Sequence, residues 1–183
     1  ANEISMICDK ADINVWELID LANRHPRVNI LQPGTGVGGH CIAVDPWFII
    51  SEFEEEAVII RNAREINNYK TDWVIEKIKS TALQFELDNN RKPTIALMGL
   101  AFKPDIDDLR ESPALLVAEF LLSENKYDIL LVEPNLEESK KYDLTEYKFL
   151  DGKADIVAYL VAHKEFRGYI YSAIELDFCG IKN

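Results

Sequence analysis

Four short apolar segments after residue 93 constrain the fold of this 183-residue chain more than any other feature. A helix start separates the first two, because Ser112 offers an N-cap oxygen and Pro113 suits the first helical position. Strand–helix–strand alternation predicts a mainly parallel α/β sheet with helices on both faces. The predicted elements are strands at 94–100, 128–132 and 154–161, one or two more strands within 170–178, and a helix over 113–123.

The first half of the chain has a helical pattern instead. Apolar residues recur at helical spacing over 4–23, where Asp12 is expected to divide two helices, and again over 52–86. The intervening residues 26–48 are rich in proline and glycine, which predicts a long ordered loop. A polar run ending at Pro93 then predicts a boundary. We expect a helical central segment over 1–88 and an α/β domain over 89–183.

Composition excludes several classes of protein. The formal charge of −12 argues against a nucleic-acid partner, whose phosphates require a basic face. No apolar run approaches the ~20 residues of a membrane span, and the start has no signal-peptide pattern. The cysteines are few, odd in number and far apart, which favours a reducing, cytoplasmic setting, and Cys8 and Cys179 are expected to be structural. Because Ala1 opens in the middle of a helical pattern, we expect a fragment.

Residues 34–39, GTGVGG, match the dinucleotide-binding pattern G-x-G-x-x-G literally. That motif must follow a strand and open a helix, whereas here Pro33 precedes it and Pro46 would soon interrupt a helix. We therefore expect no dinucleotide turn at this loop. Its glycines do leave a backbone without side chains, which can approach a ligand closely.

Cys41 follows these glycines and carries two open interpretations. A lone cysteine is commonly a buried structural residue, but a cysteine in a glycine-rich loop is also a candidate nucleophile. Asp45, four residues on, is a candidate to orient a water or a base. A zinc site using His40, Cys41 and Asp45 is disfavoured, because zinc needs three or four ligands at characteristic spacings. We expect no metal.

Two groups of cations are candidates for binding an anion. Arg24, His25 and Arg27 stand just before the glycine loop, and they form either a solvated basic cluster or a phosphate and sugar contact. Lys103 and Arg110 follow the first predicted strand, where ligands bind in open α/β sheets. The alternative there is a salt-bridged turn, in which neighbouring aspartates neutralise both cations.

Together, GGHCIAVDP at 38–46, GLAFKP at 99–104 and DDLRESP at 107–113 resemble the UDP-glucose/GDP-mannose dehydrogenase family. Residues 21–48 look closest to its UDP-N-acetyl-D-mannosamine dehydrogenases. The resemblance covers nearly the whole chain and weakens after about residue 135. It implies a Rossmann-like sugar-nucleotide-binding domain and a homodimer formed through the 52–86 helix.

The resemblance also implies a reaction and its residues. A UDP-sugar alcohol, here UDP-N-acetyl-D-mannosamine, is oxidised in two steps with NAD to a carboxylate for surface polysaccharide synthesis. Cys41 would form a thiohemiacetal and then a thioester, and Asp45 would assist hydrolysis. The remaining implied contacts are His25, Arg27, Gly38, Phe102 and Lys103 for the substrate and Arg110 for NAD, with His25, Arg27 and Arg110 acting across a dimer.

Three departures accompany this resemblance. The NAD-binding domain and general-base lysine of the family are expected before residue 1. Val44 stands where UDP-glucose enzymes have lysine, and Cys179 stands where the family often has a basic residue.

Other functions remain as alternatives. One is dehydrogenation of UDP-glucose, UDP-N-acetylglucosamine or UDP-N-acetylgalactosamine, and another is a non-catalytic nucleotide-binding or dimerisation module. A thiol hydrolase is weaker, because His40 adjoins Cys41 in sequence, where side chains usually diverge.

Overall fold

A computed structural model describes residues 1–136 and 141–183. Five α-helices and four β-strands are found in these residues. In chain order they are α1 Asn2–Ala11, α2 Val15–Asn23, α3 Asp45–Glu52, α4 Val58–Asn89, β1 Thr94–Met98, α5 Pro113–Glu124, β2 Asp128–Val132, β3 Ile156–Tyr159 and β4 Ile174–Asp177. Two short 3₁₀ helices, Tyr147–Phe149 and Lys164–Phe166, lie in the later loops.

The described strands form one parallel sheet in the order β2-β1-β3-β4. The central strand β1 pairs with β2 through Thr94 and Asp128, and with β3 through Ile95 and Ile156. This Rossmann-like order confirms the prediction of a mainly parallel α/β sheet. Strand β2 has its predicted bounds, and the run 170–178 contributes one strand. The runs 94–100 and 154–161 contribute strands shorter than predicted, Thr94–Met98 and Ile156–Tyr159.

The two faces of the sheet are covered differently. Side chains alternate along β1, so Ile95 and Leu97 face α4 and α5. Ala96 and Met98 face the opposite side, where the covering residues include Leu150, Phe166 and Tyr171. The prediction of α-helices on both faces is therefore wrong for the described residues, in which two short 3₁₀ helices and loops cover the second face. Gly152 and Gly168, both at positive φ, turn the chain in those loops.

The helical half contains one confirmed break and one corrected boundary. Asp12 adopts the left-handed conformation at φ 55° and ends α1, and Asn14 caps α2 by accepting the Trp16 N–H at 2.9 Å. However, α3 begins at Asp45, inside the segment 26–48 predicted to be a loop. Pro46 lies in the first turn of α3, where no intrahelical N–H donor is required. The long helix begins only at Val58 and not at residue 52.

Helix α4 connects the helical half to the sheet. Val74, Ile75, Ile78 and Ala82 pack into the core formed with α5 and the sheet. Its earlier turns contact the first helix, where the buried Lys70 ammonium donates to Ser5 Oγ at 2.8 Å. The division at residues 88 and 89 stays a prediction. No helix among the described residues has the length and apolar character needed to cross a membrane.

Candidate functional site

The glycine-rich segment 34–45, called the Cys loop below, packs directly against segment 99–113, called the Lys loop. A Cβ added to Gly38 would collide with the carbonyl oxygen of Glu111 and lie 2.7 Å from Pro113 Cδ. Gly39, at φ +91°, brings its backbone beneath the Phe102 ring. Glycine is therefore required at both positions for the two loops to close. The structure thus joins the two motifs that lie about 60 residues apart in the sequence.

The Cys loop is held by hydrogen bonds from three elements. From α4, Asn67 Oδ1 accepts the Val37 N–H at 2.9 Å, and Asn67 Nδ2 donates to the Val37 oxygen at 3.2 Å. From α1, Asn2 Oδ1 accepts the Gly34 N–H at 2.9 Å. Just beyond β3, the Leu160 oxygen accepts from Thr35 Oγ1 at 2.8 Å. The loop follows no strand and opens no helix at its glycines, so it lacks the geometry of a dinucleotide turn.

Cys41 is an exposed, free thiol at the end of the glycine run. Its carbonyl oxygen accepts the N–H groups of Val44 at 3.0 Å and Asp45 at 2.8 Å, which forms the turn that leads into α3. Asp45 is exposed as the first residue of that helix. The interpretation of Cys41 as a buried structural cysteine is therefore wrong, whereas Cys8 is buried as expected and Cys179 is half-buried. Burial raises the pKa of the Cys179 thiol.

Arg110 carries positive charge close to Cys41 but is held by an aspartate. Its guanidinium binds Asp108, with Nε 3.0 Å from both carboxylate oxygens. These contacts lower the Asp108 pKa to about 2, and His40 adds a smaller effect of the same sign. In turn Asp108 raises the Arg110 pKa, with a minor contribution from charge on Cys41. The predicted salt-bridged turn is thus present at Arg110. To bind a phosphate, the Arg110 guanidinium must first leave the Asp108 carboxylate.

Lys103 differs from Arg110 because no carboxylate pairs with it among the described residues. Its ammonium is exposed and lies 5.5 Å from the ring centre of Phe102, which covers Gly39. The Phe102 N–H donates to the main-chain carbonyl oxygen of Asp108 at 3.0 Å, and this bond stabilises the turn. Ser112 completes the loop by donating from Oγ to the Leu100 oxygen at 2.7 Å and capping α5. Lys103 is therefore an available cation beside a flat ring and the Cys loop.

The other predicted contacts lie outside this cluster. His25 and Arg27 are exposed in the turn after α2, where His25 Nδ1 accepts the Arg27 N–H at 3.3 Å. No hydrogen bond or ion pair links either side chain to the Cys loop or the Lys loop within the described part of the chain. Their predicted role across a dimer stays a prediction.

Sequence reasoning missed the buried polar residues behind the loops, namely Asn67, Glu133 and His163. Asn67 is buried on α4 beside other buried polar residues, Arg64, Lys70 and Thr71, so no apolar pattern in the sequence identifies it. Glu133 follows β2 directly, at the carboxyl end where ligands bind in such sheets. His163 is completely buried and 3.0 Å from Glu133. Nothing in the sequence pairs these two residues, which are 30 positions apart.

Comparison with known families decides the assignment. Residues 1–69 match the central domain of the UDP-glucose/GDP-mannose dehydrogenase family, and residues 96–177 match its UDP-binding domain. The chain belongs to this family. The motifs at 38–46, 99–104 and 107–113 all lie within the matched regions, and the resemblance inferred from them is confirmed.

Individual relatives are similar over most of this chain. UDP-N-acetyl-D-mannosamine dehydrogenase of Campylobacter jejuni is 57% identical over 91% of the chain. NDP-N-acetyl-D-galactosaminuronic acid dehydrogenase of Ralstonia nicotianae is 49% identical over the same share. The chain spans only 41% and 39% of these two proteins. It therefore corresponds to about two fifths of their length.

Solved structures of the family agree on the fold. The UDP-N-acetyl-mannosamine dehydrogenase Cap5O of Staphylococcus aureus matches 98% of this chain with a TM-score of 0.79 and 32% identity, and the match covers 47% of that protein. A UDP-glucose dehydrogenase of Pyrobaculum islandicum matches with a TM-score of 0.82 over 99% of this chain and 44% of its own. At 22% identity, the second similarity concerns the fold alone.

Proposed function

We propose that this chain provides the nucleophile and the UDP-sugar site of an NAD-dependent dehydrogenase that converts UDP-N-acetyl-D-mannosamine to the uronate. One observation carries the proposal: the loop bearing exposed Cys41 closes against the loop bearing Lys103, a cation that pairs with no carboxylate of the described residues. Closure places a thiol and an anion-binding side chain on adjoining segments. The 57% identity to a UDP-N-acetyl-D-mannosamine dehydrogenase supports this choice of sugar.

In the proposed reaction, Lys103 binds the diphosphate and Phe102 provides an apolar surface beside it. The C6 alcohol first loses a hydride and a proton and becomes the aldehyde. The Cys41 thiolate adds to that aldehyde, and the adduct takes up a proton to form a thiohemiacetal. Loss of a second hydride and of the hydroxyl proton then gives the thioester. Asp45, exposed one turn from Cys41, assists the water that hydrolyses the thioester to the carboxylate and releases the thiol. NAD, when bound, accepts the hydride of each oxidation.

The described residues provide little of an NAD site. The Cys loop contacts Phe102, Glu111 and Pro113 where a dinucleotide would have to lie against a glycine turn. Arg110 suits a phosphate contact only after it leaves Asp108. We therefore propose that residues 1–183 bind the sugar nucleotide but do not oxidise it alone. Production of NADH by this chain with UDP-N-acetyl-D-mannosamine and NAD would contradict that expectation.

The decisive test is calorimetric titration of the chain with UDP and with UDP-N-acetyl-D-mannosamine. Lys103→Ala is expected to weaken UDP affinity by about tenfold, as removal of a charge-assisted phosphate contact does. Lys148→Ala is the matched control, since Lys148 is also exposed and lies 5.6 Å from the ring of Tyr147. Equal losses in both variants, or none in Lys103→Ala, would exclude Lys103 from the site.

The choice of sugar is tested by comparing the affinities of the chain for different UDP-sugars. The same titration with UDP-glucose, UDP-N-acetylglucosamine and UDP-N-acetylgalactosamine ranks the alternative substrates. Tightest binding of the N-acetylmannosamine derivative supports the proposed substrate. An affinity equal to that of UDP alone for every sugar would favour a nucleotide-binding module without sugar recognition.

We also propose that a second copy of the chain covers the start of α4. Large apolar side chains are exposed there and on α3, with Phe48 at 68% and Ile59 at 83%. Exposed apolar patches of this kind mark interaction surfaces. Sedimentation equilibrium is expected to give a dimer, and Ile59→Asp is expected to give a monomer. A monomeric parent chain would contradict the proposed interface.

A further inference from the structure

Two buried ionisable residues behind the Lys loop take no part in the proposed reaction. Glu133 is 4% exposed and His163 is fully buried. Glu133 Oε2 accepts the N–H groups of Leu100 at 2.7 Å and Ala101 at 3.0 Å. The same oxygen lies 3.0 Å from His163 Nε2. A carboxylate buried this deeply requires partners of this kind, since an unpaired buried charge is strongly unfavourable.

The hydrogen bonds assign the tautomer of His163. The Asp105 N–H donates to His163 Nδ1 at 2.9 Å, and a backbone N–H cannot accept. Nδ1 therefore carries the lone pair, and Nε2 carries the proton that it donates to Glu133. Asn135 Nδ2 lies 2.9 Å from the same Nδ1. Asp105, His163 and Glu165 offer ligand atoms within 4.8 Å of one another, but Nδ1 is already engaged by these donors.

The pair therefore holds the Lys loop at two places. Glu133 holds the backbone at residues 100 and 101, and His163 holds it at Asp105. Asp105 is at φ +60°, a conformation that side chains other than glycine rarely adopt, and its Oδ1 accepts the Lys164 N–H at 2.9 Å. Phe102 and Lys103 lie between the two fixed points. The direction of the Lys103 side chain thus depends on a backbone that the buried pair defines.

We propose that Glu133 and His163 are positioning residues for nucleotide binding, which hold the backbone on both sides of Lys103 so that its ammonium meets the diphosphate. Neither residue touches the ligand. The inference rests on the proposed function, because it takes Lys103 as the diphosphate contact. It assigns the affinity for UDP partly to a buried acid–imidazole pair that is preorganised before the ligand arrives.

The test compares conservative and disruptive variants by calorimetric titration with UDP. His163→Gln retains one N–H donor and one carbonyl acceptor, and is expected to keep affinity within about threefold, whereas His163→Leu is expected to lose about tenfold. Glu133→Asp keeps the charge but withdraws the carboxylate by one methylene, and is expected to lose about fivefold. Lys103→Ala is measured in parallel.

Amide hydrogen exchange gives a readout that separates positioning from general destabilisation. In ligand-free His163→Leu, the amides of Ala101 and Asp105 are expected to exchange about tenfold faster, while those of Ile95 and Leu97 in β1 keep their protection. Parallel loss of protection in β1 would indicate a merely structural role and overturn the proposal. If His163→Leu does not fold, the proposal is tested by comparing the variants His163→Gln and Glu133→Asp. Equal UDP affinity in these two variants would overturn the proposal.

The outcomes for Lys103→Ala separate this inference from the proposed function. If UDP binds the parent chain and Lys103→Ala binds it equally well, the assignment of the diphosphate site is wrong and the inference fails with it. If Lys103→Ala weakens binding but His163→Leu and Glu133→Asp do not, the site stands and the inference alone is wrong. Weakening in all three, with His163→Gln close to the parent chain, supports both.

Discussion

The side-chain amide of Asn67 pairs with the main chain of Val37 in both directions, accepting its N–H at 2.9 Å and donating to its oxygen at 3.2 Å. Asn67 is on the long helix α4, and Val37 lies between the glycines that precede Cys41. A single buried amide therefore connects the rigid helix to the Cys loop. The Cys loop is thus held at Val37, four residues before Cys41.

Replacement of this amide should loosen the Cys loop. We expect Asn67→Leu to reduce the free energy of unfolding by about 1–3 kcal/mol, because the N–H and oxygen of Val37 lose their partners. Urea unfolding measures this loss. Asn68→Leu is the control, since Asn68 is exposed on the same helix and makes one long contact of 3.5 Å with Arg64. Equal effects of the two substitutions would show that Asn67 does not hold the loop.

A methyl group at Gly38 should separate the two loops. The new Cβ would overlap the Glu111 oxygen and approach Pro113 Cδ. We expect Gly38→Ala to reduce the free energy of unfolding by about 1–3 kcal/mol and to weaken UDP binding. Gly34→Ala is a matched control, because its Cβ meets only the Gly36 oxygen, at 3.9 Å. Urea unfolding and UDP titration of both variants check this, and a harmless Gly38→Ala would contradict the close packing.

Lys70 should make stability depend on alkaline pH. Burial lowers its pKa to about 8, despite the nearby Asp9 charge, and its ammonium lies 3.8 Å from the Trp73 ring centre. Lys70 therefore binds its proton more tightly in the unfolded chain than in the folded one. Below about pH 8 its buried ammonium lowers the free energy of unfolding. This loss is about 3 kcal/mol at most. It becomes smaller as the pH rises from about 8 towards the ordinary lysine pKa, because the buried ammonium then loses its proton.

Lys70→Met should remove this dependence. Urea unfolding is expected to find the variant more stable than the parent chain at pH 7, with the difference shrinking by pH 10. Lys148→Met serves as the control for a general change of charge, because Lys148 is exposed. A difference between Lys70→Met and the parent that is constant from pH 7 to pH 10 would contradict the lowered pKa of Lys70.

Alkylation should report the exposure of Cys41 at the end of the glycine run. Cys41 is the exposed cysteine of the three, so iodoacetamide is expected to label it first, and Cys41→Ser is expected to abolish the fast reaction. Cys8→Ser is the matched control, because Cys8 is buried and its loss is expected to leave the fast reaction unchanged. Fast labelling that persists in Cys41→Ser would contradict the exposure of Cys41.

The sequence by itself determined the parts of this protein that depend on local pattern. Short apolar runs in a strand–helix–strand order specified the parallel sheet. Ser112 and Pro113 specified the start of α5, and Asp12 specified the break between α1 and α2. The motifs at Cys41 and Lys103 sufficed to recognise the family. These features survive because helix caps, glycine turns and side-chain alternation act over a few residues.

Only the tertiary structure decided how those parts combine. It placed Gly38 against Glu111, paired Arg110 with Asp108 while leaving Lys103 available, and joined Glu133 to His163 beneath the Lys loop. It also showed that short 3₁₀ helices and loops, and not α-helices, cover the second face of the sheet in the described residues. Some of these contacts link residues 30 to 75 positions apart. Others, such as Arg110 with Asp108, form between one of several neighbouring acids and bases. No local sequence pattern determines either kind of contact. They follow from packing and from the need of buried polar groups for partners.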